Sequence, residues 1–320
     1  MTLERRSEDP LISLVVPVLN EEGCIEEFVR RSRAAAAQAE LRYEIIFVDD
    51  GSSDATPERV AAEAKLDPAV KSVRFTRSFG HQAALSAGLR YASGDAVVTL
   101  DGDLQHPPEC LPDLVAAWRR GADVVYTLRR ESEGQRGSWK ARTSALFYGA
   151  LSRLTALPAA AAGADFRLMD RRAVERFNEL GEHFIFVRGL VPWLGFRADR
   201  VEYQAQERFA GVPKFVPVRM LRLALDGIFS FSVVPLRLIS LLGLATTLFG
   251  VVFGIFSLVS YFLGRAEEAG WTSVVVLILV FGGVQLMSLG IVSEYIGRIY
   301  EEVKGRPRYV VDSVIGLDSK

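Results

Sequence analysis

The sequence predicts an α/β domain with a mostly parallel sheet, followed by amphipathic helices and a two-helix transmembrane hairpin. Three observations carry that expectation. Short apolar runs alternate with helical stretches through the first 130 residues, the spacing of βαβ units. Polar and acidic residues close several of those runs, where ligands of an open parallel sheet bind. From about Leu238 onward, the chain holds two long stretches without a charge.

The elements follow in order. Ile12–Pro17 is a short apolar run ended by proline and reads as a buried parallel strand. Glu21–Ala39 reads as a helix, with carboxylates early and alanines late. Glu44–Val48 is a second strand, Thr56–Leu66 a helix with Pro57 at its tolerated start, and Val70–Phe75 a third strand. His81–Tyr91 is helical, Ala96–Leu100 a strand, Glu109–Arg120 a helix and Asp123–Thr127 a strand. Arg129–Lys140 is polar and reads as a mobile loop, and Trp139–Leu154 as a helix. Phe166–Met169 and Val201–Gln206 are strands with helices between them. Residues 1–10 are a polar tail without the apolar core of a signal peptide, and 11–214 form the catalytic domain.

Residues 215–236 mix Arg219, Arg222 and Asp226 with apolar positions at helical spacing, as in helices lying on a membrane surface. Within 237–293, the runs Leu238–Leu263 and Thr272–Val292 are each long enough to cross about 30 Å of hydrocarbon. Arg237 precedes the first run; Arg298, Lys304, Arg306 and Arg308 follow the second, and the link carries Arg265, Glu267 and Glu268. The positive-inside rule places both ends, the catalytic domain and a tail at 294–320 in the cytoplasm, anchored as a multi-pass protein of the cell (inner) membrane.

Composition excludes several classes. The 320 residues have a formal net charge of -1, without the basic stripe of a nucleic-acid binder. Two cysteines, Cys24 and Cys110, give no disulfide framework, and three histidines (His81, His106, His183) are too scattered for a zinc site. Neither Gly-x-Gly-x-x-Gly after the first strand nor a Gly-x-x-x-x-Gly-Lys-Ser/Thr loop is present. The acidic groups at strand ends are Asn20-Glu21, Asp49-Asp50-Gly51-Ser52-Ser53-Asp54 and Asp101-Gly102-Asp103. Converging carboxylates repel one another unless a cation or ligand donors relieve them, and carboxylates with a diphosphate suit Mg²⁺ or Mn²⁺. Asp49 and Asp50 also suit an ordinary turn; Asp101 and Asp103 also suit a helix cap. His81 and His106 read as structural or loop residues, Glu294 as a residue at a membrane helix end, and Trp139, Trp193 and Trp271 as packing or interface residues.

Taken together, Val15–Glu22, Val48–Asp54 and Asp101–Glu109 resemble the motifs of family 2 glycosyltransferases with the GT-A fold. Phe79-Gly80-His81-Gln82, Asp165–Arg171 and Glu294–Tyr300 are similar to the branch acting on polyprenyl phosphates. That branch includes dolichol-phosphate mannose synthases, bactoprenol glucosyltransferases and lipid A aminoarabinose transferases. The resemblance runs from about Ile12 to about Gly316. It implies that Pro17, Leu19, Glu21, Val48, Asp50 and Gly102 form the donor-nucleotide site. It also implies that Asp101, Asp103 and Gln105 hold a divalent metal, and that Asp103 and Asp165 serve at the reacting sugar. Arg129, Arg130, Arg136, Lys140, Arg208 and Lys214 would grip the acceptor phosphate. The sequence departs from the branch in three places: Asp-Gly-Asp stands where Asp-Ala-Asp is commoner, Ala164 stands where glycine is usual, and Val212-Pro213-Lys214-Phe215 replaces Ser-Lys-Tyr.

The implied reaction is inverting transfer of one sugar from a nucleotide-sugar to a polyprenyl phosphate. The nucleophile is already anionic, so no strong general base is needed; charge develops on the departing diphosphate, where a metal stabilises it. UDP-glucose is the first expectation for the donor, with GDP-mannose, UDP-galactose, UDP-N-acetylglucosamine and UDP-aminoarabinose derivatives as alternatives. Self-association into a homo-oligomer is compatible with the chain. A non-catalytic nucleotide-sensing scaffold is the competing class, opposed by the intact acidic triplet. A processive synthase would carry Gln-x-x-Arg-Trp and more spans, neither of which is found.

Overall fold

A computed structural model describes residues 9–130, 165–182, 186–204, 229, 232–263 and 270–318. The chain divides into two units, Met1–Met220 with Arg306–Lys320, and Leu221–Gly305.

The first unit is built on an eight-stranded sheet. Its strands are β1 (Leu11–Val18), β2 (Arg42–Asp49), β3 (Val70–Phe75), β4 (Ala96–Thr99), β5 (Val124–Arg129), β6 (Arg167–Asp170), β7 (Ala198–Tyr203) and β8 (Val311–Ile315), in the order β7-β5-β6-β4-β1-β2-β3-β8. β1 pairs in parallel with β2 and β4, β2 with β3, and β5 with β7; β6 is antiparallel to β4 and β5, and β8 to β3. This is the GT-A-like, mostly parallel arrangement that the motifs imply. Fully buried apolar strand residues such as Val15, Val16, Ile46 and Phe47 explain why these runs lack alternation. The helices α1 (Ile25–Gln38), α2 (Thr56–Leu66), α3 (His81–Tyr91), α4 (Leu111–Arg119), α5 (Arg171–Asn178) and α6 (Val187–Trp193) complete the unit.

Three departures from the sequence expectation have local causes. α1 begins at Ile25 rather than Glu21 because Asn20 is left-handed (φ 55°) and the next N–H groups are taken elsewhere. Asn20, Glu21 and Glu22 donate their backbone N–H to Ser52, Thr56 and Asp54 of the neighbouring loop. The strand expected at Val201–Gln206 is β7 at Ala198–Tyr203, set by parallel pairing with β5. Residues 294–320 are not a plain tail: 294–304 extend a helix, and 311–315 form β8 on the β3 edge. The helix expected over Trp139–Leu154 and the surface helices of 215–228 lie outside the described residues.

The second unit contains α7 (Val234–Phe262) and α8 (Trp271–Lys304). Both are long and apolar enough to cross a membrane, over Val234–Ser260 and Val276–Lys304. Their apolar side chains are bare: Leu248 is 64% exposed, Phe256 65% and Leu286 71%. Such a surface is costly in water and ordinary in lipid. Near the end of α8, the Tyr295 hydroxyl donates to the Ser232 carbonyl (2.6 Å), and Glu294 pairs with Arg298 (3.0 Å) in the favourable i,i+4 order. α8 ends on left-handed Gly305 (φ 61°).

Candidate functional site

Strand direction decides which residues meet. The carboxyl ends of β1, β2, β3 and β4 share one edge, bringing the 19–22, 49–54, 76–80 and 101–105 loops together. β6 runs the other way, so its beginning lies at that edge: Arg167 pairs with Thr99. Asp165, just before β6, is thereby delivered beside Asp101, and the Thr99 hydroxyl donates to the Asp165 carbonyl.

The turn after β2 is satisfied except at Asp49 Oδ2, which is buried without a hydrogen bond among the described residues and is neutralised only by an ion pair. Asp49 Oδ1 accepts the Ser52 N–H (2.8 Å), and Arg74 faces Oδ2 at 3.4 Å. Asp50, 4% exposed, accepts from Phe79 N–H (2.6 Å), the Ser78 hydroxyl (2.6 Å) and Gly80 N–H (3.0 Å). Gly51 is left-handed (φ 76°), and a Cβ there would stand 2.7 Å from the Arg77 carbonyl carbon, so the 76–80 loop packs directly on the turn.

The turn after β4 is different. Asp101 Oδ1 is buried and has no hydrogen-bond partner among the described residues. His81 Nε2 lies 3.6 Å from it, beyond hydrogen-bonding reach. Oδ2 faces His106 Nδ1 at 3.4 Å, but that nitrogen already accepts the Asp101 backbone N–H (3.2 Å). The His106 ring is fixed by stacking on Phe166 at 5.1 Å. Asp103 Oδ1 accepts the Gln105 N–H (3.1 Å) across left-handed Leu104 (φ 63°). Gly102 lies against β1: a Cβ there would be 2.7 Å from Val18 Cγ1.

Asp165 is 2% exposed and held from several sides. Arg188 grips both oxygens (3.0 and 2.8 Å), His81 Nε2 lies 3.3 Å from Oδ2, and Arg167 lies 3.5 Å from Oδ1. Burial alone would raise its pKa, but the His81 hydrogen bond and the Arg188 charge hold the carboxyl far below the usual range. For His81, desolvation pulls the pKa down and the hydrogen bond to Asp165, with the Asp101 charge, raises it above the ordinary value. A carboxylate so occupied suits orientation better than proton transfer.

The remaining residues fall into place unevenly. Pro17 is buried, while Leu19 and Glu21 are half-buried at the shared edge. Val48 is fully buried, its Cγ2 only 3.2 Å from where a Gly88 Cβ would stand, so it underlies the site through α3. Arg129 and Arg130 are exposed at the end of β5, Arg130 facing Glu202 at 3.2 Å. Arg136, Lys140, Arg208 and Lys214 lie outside the described residues. His81, read from sequence as structural, stands between two site carboxylates. Arg188 carries no signal in its own stretch of sequence; Gln82 tethers it by accepting the Val187 N–H (2.9 Å).

A family model, glycosyl transferase family 2, matches residues 13–177, a span containing every one of these carboxylates. The chain belongs to glycosyl transferase family 2. Relatives of this glycosyltransferase align along nearly their whole length. An uncharacterized glycosyltransferase, YkcC of Bacillus subtilis, is 41% identical over 96% of this chain and 95% of its own. The SfII prophage-derived bactoprenol glucosyl transferase of Shigella flexneri is 41% identical over 94% of this chain and 97% of its own. The prophage bactoprenol glucosyl transferase homolog of Escherichia coli K12 is 39% identical over 95% and 99%.

For a metal, the glycosyltransferase offers a partial cage. No group of three or more His, Cys, Asp or Glu among the described residues could hold an ion. The buried Asp101 Oδ1, which lacks a hydrogen bond among those residues, and the hard oxygens of Asp101 and Asp103 nevertheless fit a divalent cation whose other ligands would come from a bound diphosphate.

Proposed function

We propose that this glycosyltransferase transfers one sugar, with inversion, from a nucleotide-sugar to a polyprenyl phosphate at the cytoplasmic face of the membrane. UDP-glucose is the preferred donor. The observation that carries the reading is Asp101 Oδ1, a buried carboxylate oxygen left without a hydrogen bond among the described residues, at the strand edge where ligands of an open parallel sheet bind. The relatives named bactoprenol glucosyl transferases support the acceptor and the sugar. The two bare apolar helices support an acceptor that arrives from the bilayer.

Asp101 and Asp103, with Gln105, would hold Mg²⁺ or Mn²⁺; bound there, the ion would neutralise charge developing on the departing diphosphate. The chain's own residues do the rest. Asp50 orders the 76–80 loop against the 49–54 turn, framing the nucleotide pocket. Asp165, locked by Arg188 and His81, presents a fixed negative group beside Asp101 to orient the donor sugar. Arg129, at the end of β5, would draw in the acceptor phosphate. That phosphate is ionised at neutral pH, so no side chain is needed to remove a proton.

The test is transfer from radiolabelled UDP-glucose, UDP-galactose, UDP-N-acetylglucosamine or GDP-mannose to undecaprenyl phosphate, with Mg²⁺, Mn²⁺ or EDTA. Lipid-linked product from a UDP-sugar, lost in EDTA, is expected. Nucleotide binding without product from any donor would overturn the reading in favour of a sensing scaffold.

A further inference from the structure

The segment joining α8 to β8 touches the catalytic unit where the donor pocket is framed. The Tyr309 ring stacks on Phe75 at 4.9 Å and 14°. Phe75, 1% exposed, meets the Phe79 ring edge-on at 5.8 Å and 90°. Thr76 donates its N–H to the Val310 carbonyl (3.1 Å), and β8 continues the contact down β3. Phe79 is also the residue whose N–H reaches Asp50 at 2.6 Å, with Ser78 and Gly80 beside it. An unbroken series of contacts therefore runs from Tyr309 through Phe75 and Phe79 to Asp50.

On the reading that the 49–54 turn receives the nucleotide, we propose that Tyr309 is a positioning residue for the donor. It fixes the 76–80 loop, and through it Asp50, without touching the ligand. Two features argue that this contact does more than cover a sheet edge. Ser78, Phe79 and Gly80 of the loop it braces all donate to a single carboxylate, so a small displacement of Phe79 unfastens Asp50. The same segment also reaches the other side of the unit: Arg308 donates to the Leu180 carbonyl (2.6 Å) ahead of α6, the helix that carries Arg188. Residues following the membrane helices in sequence thus belong to the frame of the site near the start of the chain.

The experiment uses the full chain in lipid nanodiscs. Binding of UDP and of GDP, each with Mn²⁺, is measured by calorimetry for wild type, Tyr309→Phe, Tyr309→Leu and Tyr309→Ala. Hydrogen exchange of the Ser78–Gly80 amides is followed alongside. Loss of one aromatic stack is worth up to about tenfold in affinity. Tyr309→Ala is expected to weaken nucleotide binding about tenfold and to expose the Phe79 and Gly80 amides, leaving the acceptor KM unchanged. Tyr309→Phe, which keeps the stack, is expected to bind as wild type; Tyr309→Leu reads the same effect if the alanine variant does not fold. Val29→Ala, a core change in α1 outside the Tyr309–Phe75–Phe79 stack, controls for lost stability and should leave the nucleotide affinity unchanged. Wild-type affinity in both Tyr309→Ala and Tyr309→Leu overturns the role of Tyr309, as does a Val29→Ala variant that weakens binding equally. Wild-type protein that binds neither nucleotide overturns instead the donor reading of the turn.

Discussion

Two acidic turns stand at the same sheet edge and each keeps one buried carboxylate oxygen without a hydrogen bond among the described residues, but the charges they face differ: Asp49 Oδ2 has the Arg74 guanidinium at 3.4 Å, and Asp101 Oδ1 only the His81 imidazole at 3.6 Å. After β2, Asp50 is saturated by donors from the 76–80 loop, and Asp49 caps its own turn. After β4, Asp101 keeps a buried oxygen with no hydrogen-bond partner among the described residues. Residue type and position are alike, so the difference arises from what each turn faces. The β2 turn meets a loop whose N–H groups point at it; the β4 turn meets two imidazoles and a third carboxylate. Asp50 spends both oxygens on the 76–80 loop, whereas Asp101 Oδ1 has neither a hydrogen bond nor a guanidinium beside it among the described residues, an arrangement that a cation would complete. On the proposed function, the first turn frames the nucleotide pocket and the second would hold the metal.

The sharpest break of that contrast is Asp103→Asn. Its amide oxygen can still accept from Gln105, so folding and melting temperature should hold while sugar transfer falls about 10³-fold or more. Substantial activity retained in a transfer assay would remove the metal role from the β4 turn.

Next is Arg188→Ala, which strands the buried Asp165 and should cost about 3 kcal/mol in urea unfolding. The pH dependence has a defined sign. The folded pKa of Asp165 is depressed, so its contribution to stability is complete above the unfolded value of about 3.9. It is lost as pH falls from there toward the folded value. Melting curves below pH 5 should steepen less with acid in Asp165→Asn than in wild type; parallel curves would contradict the ion-pair account.

Asp50→Ala tests the frame directly. It deprives Ser78, Phe79 and Gly80 of their acceptor and should destabilise by about 2 kcal/mol, with weaker nucleotide binding but little change in turnover at saturation. A turnover defect as deep as that of Asp103→Asn would erase the distinction between the turns. The smallest effect is expected from Gly102→Ala. The added methyl meets Val18 Cγ1 at 2.7 Å and should cost about 1 kcal/mol, relieved when Val18→Ala is combined with it. Two independent, additive losses would show that this contact is not what glycine accommodates.

The amino-acid sequence by itself determined the parallel strands β1 to β4, because a buried strand must be a short continuous apolar run. It determined the strand-end carboxylates, which follow those runs directly, and the two apolar spans, whose lack of charge needs no partner to interpret. It also carried the motifs that identify the family. What it left undecided depends on contacts between distant segments. Arg188 becomes part of the site only because α6 is tethered to Gln82. His81 gains its place between Asp101 and Asp165 only because β6 runs antiparallel and turns its beginning toward the edge. The later start of α1 rests on N–H groups diverted to a neighbouring loop. β8 forms because β3 offers an open edge, and its β-branched residues Val311, Val314 and Ile315 suit a strand. Local patterns report burial and backbone preference; pairing direction and the ownership of individual hydrogen bonds are properties of the folded chain, and they decided how each strand-end carboxylate is partnered.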